Sequence, residues 1–234
     1  TLYGAATGFS IGLAPGITFG NFNWNITANG TPPVGTVIAG NLVLGGTGEM
    51  RCGTGTTSRL ITVQGNVTVN SGTLVTSNST SPATGGIDIA GDLTINAGGT
   101  FRGVNFTGAG TASIAGSLLN NGGKIFVEDA NGGTGVWTVY FKGTGAGTFN
   151  PGDSSAFRNV AIAPGRTITL GDTVTINTTY SLVDSGALMM GTNIVRGAGA
   201  FGLQPTGTLG IGHPQGVSTT TGGGNIQVAG TRTF

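Results

Sequence analysis

The residues able to do chemistry are few and scattered. Of 234 residues, 9 are Lys or Arg, 8 are Asp or Glu, one is His and one is Cys. Asp88 and Asp92 lie four apart on a strand-like stretch, and Arg59 and Arg102 fall on neighbouring units; a glycan-cleaving enzyme would need such carboxylates to converge on one bond. Their dispersal favours corner-forming and solvent-facing charge instead. The densest oxygen-ligand stretch is "EDANGGTG", where Glu128, Asp129 and Asn131 could offer weak Ca²⁺ ligands; without the GGxGxD nonapeptide, a plain turn is preferred. His213, in "GIGHPQG", has no second His or Cys to share a metal and reads as a turn residue. A lone His before Pro214 supports no Ser-His-Asp arrangement. Cys52 reads as a small buried thiol, because one cysteine builds neither a disulfide framework nor a Cys/His cluster. No cofactor is expected. "VWTVYF" offers Trp137, Tyr140 and Phe141 as a glycan-stacking platform, but its alternation buries either Val136, Thr138 and Tyr140 or Trp137, Val139 and Phe141, and core packing is the simpler use.

The elements that must hold these residues are repetitive. Gly40, Gly65, Gly91 and Gly116 recur at a nearly constant interval. Ile38, Val63, Ile89 and Ile114 precede them by two positions, and Leu42, Val67, Leu93 and Leu118 follow by two. Leu44, Val69 and Ile95 extend the row, whereas Val43, Thr68, Thr94 and Leu119 point the other way. Period-two alternation marks strands with one buried face. The glycine suits a bend or bulge, and Asn41, Asn66, Asp92 or Ser117 behind it can bond nearby backbone. A glycine-rich break follows, then a second apolar element ending in Met50, Leu74–Val75, Phe101 or Ile125–Phe126. Each unit is therefore two or three short strands joined by tight turns.

A strand-and-turn unit of this length predicts an all-β fold, a β-helix or β-solenoid of roughly 25-residue coils. One coil cannot bury its own apolar face, so stacking on neighbours supplies the stability. Residues 1–35 predict an irregular N-terminal cap or first coil, and 36–127 predict regular coils. Residues 128–157 read as an insertion that expands the middle coil, with Arg158 next at the glycine's position. Residues 158–234 predict further, less regular coils. Gly171 restarts the pattern after about half a coil, and Ile226, Val228 and Gly230 repeat the relation of Ile87, Ile89 and Gly91. Asn120 stands where an aliphatic is expected, as a polar rung or an early strand end. The chain starts at Thr1 and stops at Phe234 in mid-coil, which predicts a piece of a longer protein.

Composition excludes other classes. Glycine supplies 48 residues, charged residues only 7%, and the formal net charge is +1. An ordinary soluble domain carries roughly 25% charged residues. There is no basic stripe for nucleic acid, and no apolar run approaches the roughly 20 residues of a membrane helix. The exterior must be a neutral Thr, Asn, Ser and Gly surface.

"GNLVLGGTG", "GNVTVNSGTLV" and "GDLTINAGGTF" resemble the repeats of large secreted bacterial surface proteins, in particular the repeat region of type IX secretion cargo in Bacteroidota. "GTLGIGHPQGVSTTTGGGNIQVAGTRTF" is similar to a phrase that recurs in those proteins. The resemblance spans about residues 36–234, and similar rungs occur in autotransporter passengers. It implies a β-solenoid stalk exported to the cell surface or medium and used in adhesion or gliding, without the family's C-terminal sorting domain. Asp172-Thr173-Val174 resembles that phylum's O-glycosylation site, which would place a glycan on Thr173. The expected function is thus a non-enzymatic, extracellular structural or adhesive segment. Expected partners are neighbouring coils or further copies of the chain, the export machinery and surface glycans. A subunit of a polymeric filament and a β-helix carbohydrate-active enzyme are the alternatives.

Overall fold

The computed structural model describes residues 15–78, 84–104, 106–126, 135–152, 156–218 and 223–234, and the backbone alone of 2–4 and 9–10. It is a β-solenoid. All the strand pairings between neighbouring coils are parallel, and each turn of the chain lays one short strand on each of three faces. Face I, which holds Leu42–Leu44, Val67–Val69, Leu93–Asn96 and Leu118–Asn121, is a continuous ten-stranded sheet. Face III, which holds Arg59–Val63, Thr84–Ile89, Ala109–Ile114 and Trp137–Phe141, is a second ten-stranded sheet. Face II is split into six strands ending at Lys124–Phe126 and four beginning at Ala156–Phe157. Among the described residues no helix is long and apolar enough to cross a membrane.

Alternation builds the core. On face I, Leu42, Val67, Leu93 and Leu118 are register partners from successive coils, and all are fully buried. On face III the same holds for Ile38, Val63, Ile89 and Ile114. Met50, Leu74, Phe101 and Ile125 form the matching inner row of face II. Each of these coils is thus three strands around a column of stacked side chains, and the inward aliphatic and aromatic residues rest on apolar residues of the neighbouring coils.

Coil length varies more than the sequence suggests. Phe22 pairs with Leu42 and Trp24 with Leu44, closer in the chain than the partners of the regular coils, so regular rungs begin N-terminal to residue 36. "GN" at Gly20–Asn21 is the same corner as Gly40–Asn41, hidden by this shorter spacing. The expanded coil is itself less expanded than expected. Phe149 is the partner of Leu118, and Gly145–Asn150 and Trp137–Phe141 are ordinary rungs inside residues 128–157. Gly147, not Arg158, therefore stands over Gly116. Later coils shorten again to about the length of the first, with Phe149 on Leu170, Ile168 on Leu188 and Leu188 on Leu209. The stretch after Gly171 is no half-coil but the face II strand Val174–Ile176, and Ile226–Val228 lies on face II rather than on the face that holds Ile87 and Ile89. The cause is geometric: alternation of period two is the same on all three faces, so it does not report which face a strand occupies.

Aromatic rings fill the core where face II changes sheets. Phe101 meets Trp137 edge-on with centroids 5.3 Å apart, Trp137 stacks on Phe157 at 5.7 Å, and Phe149 joins Phe157 to Phe141 at 5.1 Å each. Trp137, Val139 and Phe141 point inward and Val136 is 47% exposed, so "WTVYF" is core packing, with Tyr140 half-buried on the outer face. The ring of Trp137 lies against Gly103, where a Cβ would overlap the indole.

Candidate functional site

The most regular chemistry in the molecule is a corner ladder between faces III and I. The side-chain oxygen of Asn21 accepts from the backbone N–H of Asn41 at 2.8 Å, Asn41 from Asn66 at 2.8 Å, Asn66 from Asp92 at 2.9 Å, Asp92 from Ser117 at 2.7 Å, and Ser117 from Thr148 at 3.0 Å. Beside it, the N–H groups of Gly40, Gly65, Gly91 and Gly116 each donate to the carbonyl of the equivalent glycine one coil earlier, at 3.0 Å. The nearby backbone that the small polar residue bonds is that of the next coil. This gives the glycine a sharper role than a bend. At Gly91 a Cβ would collide with Asn66 Oδ1 and with the carbonyl of Gly65. At Gly40, Gly65, Gly91 and Gly116 the residue before the ladder oxygen must be glycine because the previous coil's ladder side chain occupies the space.

Beyond Gly116 the corner changes. The carbonyl of Gly116 accepts from Arg166 Nη2 at 2.5 Å, and Arg166 Nη1 reaches the carbonyl of Thr144 at 3.4 Å. Arg166 is 2% exposed. Burial pushes its guanidinium below its ordinary value, and the charge of Asp92 opposes this. A second row of amides runs along the other edge of face I, where Asn96 donates to Asn70 at 2.7 Å and Asn121 to Asn96 at 3.4 Å.

The candidate acids and bases are not brought together. Asp88 points outward on face III and pairs with Lys142; Asp92 belongs to the ladder, around the corner made by Gly91. Arg59 Nη1 donates to the carbonyl of Pro32 at 2.9 Å, and Arg102 pairs with Glu49 at 3.0 Å. Glu49 also holds Arg51 at 2.7 Å, so its carboxylate bridges Arg51 and Arg102 over the intervening coil. Val75, between those arginines in the outer row, is fully buried. Asp172 accepts from the N–H of Thr173 at 2.6 Å, and Thr173 is half-buried just before the face II strand Val174–Ile176. Glu128, Asp129 and Asn131 lie outside the described residues. His213 Nδ1 accepts from the N–H of Gln215 at 3.2 Å, within a turn. Among the described residues no group of three or more His, Cys, Asp or Glu is placed to hold a metal ion.

Cys52 is fully buried beneath face II, and burial pushes its thiol up to about 12. Asn120 is a polar rung: it takes the register of Ile95, and its amide donates to the carbonyl of Pro151 at 2.8 Å, pinning the start of the next loop. Arg158 lies over the ring of Tyr180 at 5.4 Å. Six buried polar residues had no role in the sequence reading: Thr36, Thr76, Ser77, Arg166, Asp184 and Asn225. Asn225 ties His213 to the preceding coil, donating to the carbonyls of Gly191 and Asn193 at 2.9 and 2.6 Å and accepting from His213 N–H at 3.1 Å. The alternation Leu182-x-Asp184 carried the signal for Asp184, but the half-coil alignment masked it. An open depression of about 370 Å³ on face III is lined by Ser58, Arg59, Leu60, Thr84 and Thr111 over the Gly85–Gly86 backbone.

These features define a class: a three-faced parallel β-solenoid whose polar residues serve its corners. Comparison with known proteins found no matching family model, no matching curated protein and no matching solved structure.

Proposed function

We propose that the chain is a non-enzymatic structural segment of an extracellular surface protein, a rigid spacer with an adhesive neutral exterior. One observation carries this reading: two faces run unbroken through ten strands while one corner is tied coil to coil by Asn21, Asn41, Asn66, Asp92 and Ser117. At roughly 4.8 Å per rung the stack is about 45 Å long. Its described carboxylates serve the frame: Glu49 and Asp88 in ion pairs, Asp92 and Asp172 on backbone amides, and Asp184 in the core. The outer rows of face I, with Thr68, Thr94, Asn70, Asn96 and Asn121, present hydroxyls and amides suited to neutral surface glycans. The resemblance of the repeats to type IX secretion cargo supports export to the cell surface.

Two measurements test this. Small-angle scattering should report an elongated, stiff particle whose cross-section is one coil wide; a compact or flexible particle refutes the spacer. Protease shaving of intact cells of the source bacterium should remove the protein, and its loss when the outer-membrane export channel is deleted would support the route. Retention in the cytoplasm of wild-type cells refutes it.

A further inference from the structure

On face III one inner row runs Ile38, Val63, Ile89, Ile114, Phe141, Ile162, Asp184 and Leu203 through successive register pairs. Seven of these are apolar; the eighth is a carboxylic acid with no exposed surface. Asp184 Oδ1 accepts from the N–H of Gly186 at 3.0 Å, while Oδ2 is buried without a partner. The same corner carries the contacts to the next coil: Gln204 N–H donates to the Asp184 carbonyl at 2.8 Å, Thr208 N–H to that of Gly186 at 2.8 Å, and Thr206 Oγ1 to that of Ser185 at 2.9 Å. We propose that Asp184 is a proton-operated latch, closing the C-terminal coils when its carboxyl is neutral and loosening them when it ionises.

The surroundings leave the charge uncompensated. No cation stands on the Ser181–Asp184 strand itself, nor on Ala187–Gly191, Ala200–Leu203 or Thr208–Ile211. From the preceding coil, Arg166 turns its guanidinium toward Gly116 and Thr144, and Arg158 lies over Tyr180. Lys142, at the end of Trp137–Phe141, is paired with Asp88. Asp184 Oδ2 is therefore buried without a partner, in a row between Ile162 and Leu203, where an ion is costly. Burial pushes the carboxyl up to about 6, against the lesser pull of the Gly186 and Leu188 N–H groups. A folded-state value raised above the unfolded 3.8 means that stability is fully present below about pH 4 and is lost as pH rises through about 6. Between about pH 5 and about pH 7.5, the open population of these coils should rise about tenfold by linkage.

Hydrogen exchange of the full chain, read by mass spectrometry and corrected for intrinsic rates, tests this. Peptides within 181–211 should open about tenfold more at the higher pH, while peptides within 67–96 stay constant. Asp184→Asn, isosteric and uncharged, should abolish the difference. An equal rise in Asp184→Asn, or none in the wild type, overturns the latch. If Asp184→Asn does not fold, difference infrared spectroscopy of the wild type decides: one carboxyl titrating near pH 6 supports the proposal, and all titrating near pH 4 overturn it.

Discussion

Replacing Gly91 by alanine tests the corner ladder directly. The new methyl would fall on Asn66 Oδ1 and on the carbonyl of Gly65. Asn66 Oδ1 is also the acceptor for Asp92 N–H at 2.9 Å. The methyl therefore both overpacks the corner, at about 1–3 kcal/mol, and displaces a hydrogen bond worth about 1 kcal/mol. Gly91→Ala should cost about 2–4 kcal/mol in total. Asn66→Ala alone loses this exposed bond and should cost about 0.5–1 kcal/mol. Combined, the two should cost about 1 kcal/mol or more below their sum, because removing the Asn66 amide vacates the space the methyl needs. The assay is equilibrium urea unfolding followed by the fluorescence of Trp24 and Trp137, with hydrogen exchange of the 89–96 amides reporting local opening. Coils couple mainly to their neighbours, so the exchange effect should centre on the coils holding Gly65, Gly91 and Gly116. Additivity within about 0.5 kcal/mol would show that the amide and the glycine do not compete for one space, and would refute the steric account of the repeat.

Three further outcomes follow from other parts of the fold. Gly103→Ala would drive a methyl into the Trp137 indole and should destabilise by about 2–4 kcal/mol, with a shift in tryptophan emission; unchanged emission and stability would count against the aromatic packing at the face II seam. Thr179 is the one non-glycine residue with positive φ among those described, at 67°, so Thr179→Gly should stabilise by about 0.5–1 kcal/mol in urea melts, and a loss of stability would contradict the strain. The Cys52 thiol, fully buried and pushed up to about 12, should resist iodoacetamide in the native protein at neutral pH and react completely after unfolding; labelling of the folded chain at the rate of a free thiol would contradict its placement.

The regular coils were legible because several levels agreed there. In "GDLTINAGGTF" the glycine, the small polar residue and the alternation of Leu93, Thr94 and Ile95 all recur at a constant spacing, and the structure stacks them in register with Val67 and Leu118. Legibility failed where spacing changed. Gly20–Asn21 belongs to a shorter coil, and "FRNVAIAPGRTITL" belongs to coils that contract after the long step from Leu118 to Phe149. A strand of face II alternates like one of face III, so Ile226–Val228 could not be assigned from its own residues.

By itself the sequence determines that alternate residues of each strand face inward, because alternation depends only on backbone geometry that each short strand carries locally. It also determines that coils must stack, since no single unit has an interior of its own. The tertiary structure alone decides which strand lies over which, because register is set by contacts between residues a full coil apart, and the coil has no fixed length. It likewise decides what the polar residues do. Asn66 reads as a turn former until the next coil places an amide above it, and Asp184 gains its place in the inner row only when the register sets it between Ile162 and Leu203.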